Sequence, residues 1–237
     1  MKDLVGAVGN LNFGSLVSED DFKQCFAHDF MYGDTTRNWP SKTLLIYRLG
    51  EDGPFECEEN ERGADHAEIV LLKKIRNKIE NRQTRTLVTI YISYSPCSKC
   101  SEILGGFIGK NKKRCKLKIY FSNFYLILRI SNVQLIGKRH MEGLHNLRQK
   151  GAEIQPVIGE EMWKMFLKAN RVPENDQGRW LVVAASQNRQ VREKEDKKIF
   201  DLLFPETDNE TDDDISVRYI CFVIFTLIMY LLYAHIN

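Results

Sequence analysis

Two short segments of this chain carry residues that grip a transition metal, and any fold it adopts must bring them together: His66-Ala67-Glu68 and, further on, Pro96-Cys97-Ser98-Lys99-Cys100. One imidazole and two thiols suit Zn²⁺ better than Mg²⁺ or Ca²⁺, which take oxygen donors. Three protein ligands, His66, Cys97 and Cys100, leave a fourth position for water, whereas a structural zinc site closes all four. Glu68 is then left over as a carboxylate that is not a ligand and can shuttle protons. Each half alone says little. A lone Cys-x-x-Cys is also a redox pair or half of a structural site, and His-x-Glu recurs by chance; the order and separation of the two halves carry the weight.

The local patterns supply a scaffold. Phe22 to Tyr32 and Thr43 to Leu49 read as two strands joined by a turn through Arg37-Asn38-Trp39-Pro40, followed by an acidic, Gly-bearing loop from Glu51 to Asp65. Ile69, Leu72, Ile75 and Ile79 recur at helical spacing across 66–80, with Asp65 as the expected N-cap. Leu87 to Tyr94 is β-branched and aromatic, hence a strand, and a short helix from Cys97 ends near Gly109. Leu117 to Phe121 reads as a strand, Gly137 to Lys150 as a helix closed by Gly151, and Glu153 to Ile158 as a strand. Residues 160–170 and about 178–203 complete the set as helices. This alternation predicts an α/β layer, helices packed on a mixed sheet.

That scaffold explains one half of the metal motif. Cys97 and Cys100 are three apart at a helix start, so both sulfurs share a face, and the helix N-terminus favours their thiolates. Pro96 suits the same first turn, where its missing N–H costs nothing. His66 and Glu68 are two apart and do not share a face of a regular helix, so local geometry must bring them together.

Charge is distributed unevenly. Lys and Arg outnumber Asp and Glu by 18 to 3 in residues 69–150, but are outnumbered 14 to 6 before and 15 to 10 after. Solvated helix faces and lysine-blunted strand edges explain part of this excess. A polyanionic partner, nucleic acid above all, explains it better. The six cysteines show no disulfide-framework spacing and the N-terminus has no secretory apolar run, so a reducing compartment is expected. After Phe204-Pro205 comes an acidic linker, 205–216, and then Tyr219 to Ala234 without a charge. With Ile215 to Val217 and a snorkelling Arg218, segment 217–236 reads as a transmembrane anchor. A buried core helix would show a polar face, and this one has none.

The order H-x-E…P-C-x-x-C is the signature of zinc nucleobase deaminases. Over roughly residues 20–205 the chain resembles the AID/APOBEC polynucleotide cytidine deaminases. The likeness runs through His66-Ala67-Glu68, Ser93-Tyr94-Ser95-Pro96-Cys97-Ser98-Lys99-Cys100, Ile119-Tyr120-Phe121, Gly143-Leu144-His145-Asn146-Leu147, the Gly151 turn and the Trp163-to-Phe166 helix. It implies a cytidine-deaminase-like fold, a five-stranded sheet flanked by about six helices. It also implies His66, Cys97 and Cys100 as zinc ligands and Glu68 as the proton shuttle. Tyr94 takes the place of the family's tryptophan as an aromatic wall for the pyrimidine, beside Ser95. Tyr125 falls at the base-stacking tyrosine, Thr43 at the nucleotide-contacting threonine, and Asn60 at an asparagine that precedes the histidine. Two features depart from the pattern: Asn123 stands where the family has arginine, and an apolar loop, Leu126-Ile127-Leu128-Arg129, follows Tyr125.

The expectation is a zinc-dependent cytidine deaminase acting on single-stranded DNA or RNA, with Lys110, Lys112, Lys113, Arg114 and Lys116 helping to hold the strand. Its parts are an N-terminal segment 1–21, a deaminase domain 22–204, the linker and the anchor. The domain is expected in the cytoplasm, tethered by its tail to an intracellular membrane. Two rivals remain: a deaminase of free cytidine or its nucleotides, and a non-catalytic nucleic-acid-binding or membrane-scaffold protein that keeps zinc for its fold.

Overall fold

Seven strands form in chain order: β1 (Thr43–Leu49), β2 (Phe55–Asn60), β3 (Thr86–Tyr94), β4 (Cys115–Asn123), β5 (Leu128–Arg129), β6 (Leu135–Ile136) and β7 (Glu153–Pro156). Five make one mixed sheet in the order β2-β1-β3-β4-β7, while β5 and β6 pair only with each other. β1 is antiparallel to β2 and β3; β3, β4 and β7 are parallel. The computed structural model describes residues 14–30, 42–60, 65–131 and 134–205.

Both faces of the sheet are covered, which is why β1 and β3 read as near-continuous apolar runs and not as alternations. Leu45, Val88, Ile90, Ile119 and Phe121 belong to one core, with α2 (Ala67–Glu80), α3 (Ser98–Lys110), α4 (Lys138–Gln149) and the end of α7 (Gln187–Leu203). Leu44, Ile46 and Tyr91 belong to the other, with the N-terminal helical segment, α5 (Glu160–Ala169) and α6 (Glu174–Ala184). With α1 (Glu19–Asp21) that makes seven α-helices among the described residues.

Four expectations are corrected. The strand expected from Phe22 is helical: α1 runs into a π-helical turn, Phe22–Phe26. The Ser18 hydroxyl accepts the Asp21 N–H at 3.1 Å, and Glu19, Asp20 and Asp21 suit the positive end of a helix. Burial of Phe22, Cys25 and Phe26 follows helical spacing, which outweighs the strand preference of aromatic residues. Residues 31–32 and the Arg37-to-Pro40 turn lie outside the described residues.

Half of the expected acidic loop is the edge strand β2. Its glutamates are those of a charged edge, and three are held: Glu56 accepts the Tyr47 hydroxyl proton at 2.7 Å, Glu58 pairs with Lys74, and Glu59 lies 3.6 Å from Lys42. His66, not Asp65, is the N-cap of α2, with no side-chain capping bond; Asp65 pairs with Lys73. The long helix expected over 178–203 is two helices, broken at Ala185-Ser186, where Ser186 caps α7 through the Arg189 N–H at 3.4 Å.

The expected linker and anchor, 205–216 and 217–236, lie outside the described residues from 206 onward. Among the described residues no helix is long and apolar enough to cross a membrane.

Candidate metal centre and active site

Two helix N-termini converge on the metal motif. β3 delivers the chain to Pro96, and Cys97 then becomes the N-cap of α3 with extended backbone (φ −66°, ψ 166°), its sulfur accepting the Cys100 N–H at 3.5 Å. His66 occupies the same place on α2 (φ −62°, ψ 148°), so its ring leaves the helix before the regular turn begins. That supplies the local geometry which spacing alone could not. His66 Nδ1 lies 3.5 Å from Cys97 Sγ and 3.3 Å from Cys100 Sγ. One zinc at ordinary Zn–S and Zn–N lengths holds its ligand atoms about 3.5 Å apart. The set therefore fits the ion in donor chemistry and spacing, and among the described residues it is the only such cluster.

The electrostatics agree. A hydrogen bond with Cys100, aided by the backbone N–H groups of Lys99 and Cys100, pulls the Cys97 thiol down to about 5. Its partner Cys100 is pushed up as the sulfur that keeps the shared proton. Glu68, on the first turn of α2, is only 4% exposed and hydrogen bonds with Cys100. Burial pushes its carboxyl up to about 7, and a nearby divalent cation would pull it back down.

The carboxyl ends of β3 and β4 lead into this region, the end of an open α/β sheet at which ligands bind. Tyr94 is buried, its hydroxyl 3.0 Å from His28 Nε2 and its ring edge-on to Tyr125 at 6.4 Å between centroids. Ser95 is nearly enclosed, and its hydroxyl accepts the Tyr125 N–H at 3.0 Å. Its immediate work is thus to hold the loop after β4. Thr43 and Asn60 face each other across the β1–β2 ladder. The Leu44 N–H reaches Ser93 Oγ at 3.2 Å, so this end of the ladder stands beside Tyr94. The loop after Tyr125 is not a free apolar flap. Ile127 is buried, Arg129 clasps Glu195 of α7 through Nε at 2.8 Å and Nη2 at 2.9 Å, and Leu126 takes positive φ (53°). Gly137 is required opposite: a Cβ there would meet the Leu126 carbonyl at 2.2 Å.

The five basic residues Lys110 to Lys116 are not brought to this site. They run from the last residue of α3 through the following loop to the start of β4, at the opposite end of the parallel strands. Sequence reasoning also left three residues without a role. His140 Nδ1 accepts the Ser98 N–H at 3.1 Å, and its ring meets Tyr125 edge-on at 5.4 Å. Gly143 lets α4 approach so closely that a Cβ would lie 2.9 Å from Ser98 Cα. His28, buried and held neutral because burial and the neighbouring Arg192 and Arg189 pull it down to about 2, positions Tyr94. A histidine within Cys25 to Phe30 carries no pattern of its own, and only the tertiary contact reveals it.

A family model described as the APOBEC3 cytosine deaminase domain matches residues 48–175. The "C->U-editing enzyme APOBEC-1" of Mus musculus is 25% identical over 155 residues, 63% of this chain and 63% of that protein. The "DNA dC->dU-editing enzyme APOBEC-3H" of Felis catus is 27% identical over 133 residues, 53% of this chain and 64% of that protein. The "DNA dC->dU-editing enzyme APOBEC3" of Rattus norvegicus is 27% identical over 169 residues, 68% of this chain but 37% of that protein. The chain thus spans just under two thirds of the first two relatives and about a third of the last. The family match covers more than half of the chain and spans both halves of the metal motif, so this chain belongs to the APOBEC3 cytosine deaminase domain family.

Proposed function

We propose that this chain is a zinc-dependent hydrolase that converts cytosine to uracil in single-stranded DNA or RNA. The observation that carries the reading is the gathering of His66, Cys97 and Cys100 at the tips of two helices, one ligand short of a closed site, with Glu68 buried against them. A zinc ion held there supplies Lewis-acid activation of water. Glu68 takes a proton from the attacking water and delivers one to the departing amine, so that cytosine and water become uracil and ammonia. Tyr94, fixed by His28, gives the flat base a wall, and Tyr125 stands edge-on beside it. The relatives' names, which specify C-to-U and dC-to-dU editing, support a polynucleotide substrate.

The test is turnover by the full chain on single-stranded DNA and RNA, read by sequencing, beside turnover on free cytidine. Uracil in oligonucleotides with little conversion of cytidine is expected. Preference for cytidine would move the reading to the free-nucleoside class. Oligonucleotide binding with zinc present and no uracil formed would leave a scaffold.

We also infer that segment 217–236 anchors the domain to an intracellular membrane from the cytosolic side. The support is its uncharged run from Tyr219 to Ala234 after an acidic linker. The full chain is expected in the membrane pellet after alkaline washing, and a variant with Ile224, Phe225 and Leu227 changed to Asp in the supernatant. Recovery of the unaltered chain in the supernatant rules the anchor out.

A further inference from the structure

At the end of the sheet away from the metal, two loops lie side by side. One leads from α2 into β3 (81–85), the other from α3 into β4 (111–114). The Thr86 N–H donates to the Arg114 carbonyl at 2.8 Å, and Thr86 stands opposite Cys115 in the parallel register. These loops, with the last residue of α3, carry Arg82, Arg85, Lys110, Lys112, Lys113 and Arg114, all exposed. Among the described residues none of the six has a carboxylate within 4 Å, whereas the next cation, Lys116, is paired with Glu153 at 2.5 Å. A cation in the last turn of a helix gains from the helix dipole, which accounts for Lys110 and not for the other five. Clustered unpaired cations repel one another, so the free protein holds an unfavourable concentration of charge that a polyanion would relieve.

Resting on the polynucleotide reading above, we infer that these two loops form a second nucleic-acid contact, which holds a stretch of strand remote from the cytosine being deaminated. β3 has nine residues, so the patch lies roughly 25–30 Å from the cysteine turn at about 3.3 Å per residue. A strand kept at the stacked duplex spacing of ~3.4 Å per nucleotide takes about eight nucleotides to bridge the two in a straight line; drawn out it takes fewer, and around the surface more. No aromatic side chain lies in either loop, so bases have nothing to stack on. The contact therefore reads phosphate and is indifferent to sequence. Exposed Gln83 and Thr84, interleaved with the cations, add hydrogen bonds suited to phosphate oxygens. Nucleic acid is favoured over a lipid surface because neither loop offers an exposed apolar side chain to insert; the large exposed apolar residues, such as Ile130 and Val182, lie on other elements.

The test uses the full chain with K112E/K113E/R114E, and K112Q/K113Q/R114Q as a milder partner. For a ~30-nucleotide single strand, affinity should fall roughly 10- to 100-fold in the charge reversal and less in the neutral variant, with a salt slope shallower by about two. On a ~6-nucleotide substrate with its cytosine at the centre, too short on either side to reach the patch, kcat/KM should not change. Equal losses on both lengths, or unchanged affinity for the long strand, overturn the inference. So does a reversal that abolishes binding to phosphatidylserine-containing vesicles while the long strand still binds normally. If the parent deaminates no oligonucleotide, the function proposed above fails, and the binding comparison still decides this one.

Discussion

Glu68→Gln is expected to lower C-to-U conversion by three orders of magnitude or more while the protein still binds one zinc per chain. The side chain keeps its size, its place on the first turn of α2 and its burial, so the α2 N-terminus that presents His66 has no reason to move. The ligand atoms are His66 Nδ1 and the two sulfurs, none of which the substitution touches. What is lost is a group able to accept and then release a proton beside the metal site, and among the described residues the ligand cluster itself holds no carboxylate that could replace it. A single general acid–base contributes about 10²–10⁴-fold, and here one residue serves both the attack and the departure. Sequencing of product strands gives the rate, and elemental analysis gives the zinc. Turnover within tenfold of the parent would remove Glu68 from the chemistry; loss of zinc would make it a structural support of the site.

That residue was legible before any coordinates because the chemistry itself dictates residue type and spacing. A three-ligand zinc site can be built from one imidazole and two thiolates, and the sequence displays them, the thiols at a helix start. The covered strands β1 and β3 were equally plain, as near-continuous apolar runs, and β4 as an apolar stretch that opens with alternating lysines. Elements whose identity depends on partners were not. β2 reads Phe-Glu-Cys-Glu-Glu-Asn, a poor strand by composition, and forms because β1 offers a ladder and Lys74, Lys42 and Tyr47 take its carboxylates. The segment from Phe22 is aromatic enough for a strand, yet Phe22 meets Trp163, Phe166 and Trp180 while Phe26, four residues on and so on the same helical face, also meets Phe166. Lys110 to Arg114 were visible as charge, and their remoteness was readable too. They end a helix and precede a strand, whereas catalytic residues of parallel sheets follow strands.

α7 shows the same limit most sharply. Its buried positions Arg189, Arg192, Glu193, Asp196, Ile199 and Leu203 follow helical spacing, but the first four are charged, so hydrophobic periodicity cannot find the stripe. They are held by mutual pairing and by the loops around the site. Arg192 pairs with Asp196 at 2.9 Å, and Glu193 receives the Trp163 indole N–H at 2.6 Å and the Gly159 N–H at 2.9 Å, at the start of α5. Arg189 binds the carboxyl end of β4. Asn123, where the family has arginine, turns its side-chain oxygen to a guanidinium that arrives from α7.

Arg189→Met is therefore expected to cost about 3–5 kcal/mol of folding stability, the range for breaking a buried charged pair from one side. Arg189 is fully enclosed, yet it donates to the His28 carbonyl at 2.9 Å, to Asn123 Oδ1 at 2.8 Å and to the Ser122 carbonyl at 2.7 Å. Its guanidinium lies over the Trp163 ring, 5.2 Å from the centroid, and Glu193 is 3.6 Å from its Nε. Burial draws the guanidinium down to about 10, so it remains charged at neutral pH. Methionine fills much of the volume but strands three acceptors and leaves Glu193 without its countercharge, which is the expensive part. For a domain of this size the loss corresponds to a fall in Tm of about 10 °C. Arg189→Lys should fall between, since a single ammonium keeps the charge but cannot span acceptors from three segments. Below the unfolding transition, both variants should also deaminate more slowly, because His28 loses the bond that seats it against Tyr94. Denaturant and thermal unfolding at constant zinc occupancy measure the first effect and oligonucleotide turnover the second. A methionine variant that unfolds at the parent's midpoint would show that the guanidinium contributes no net stability. It would then stand as a device for positioning Tyr94 alone.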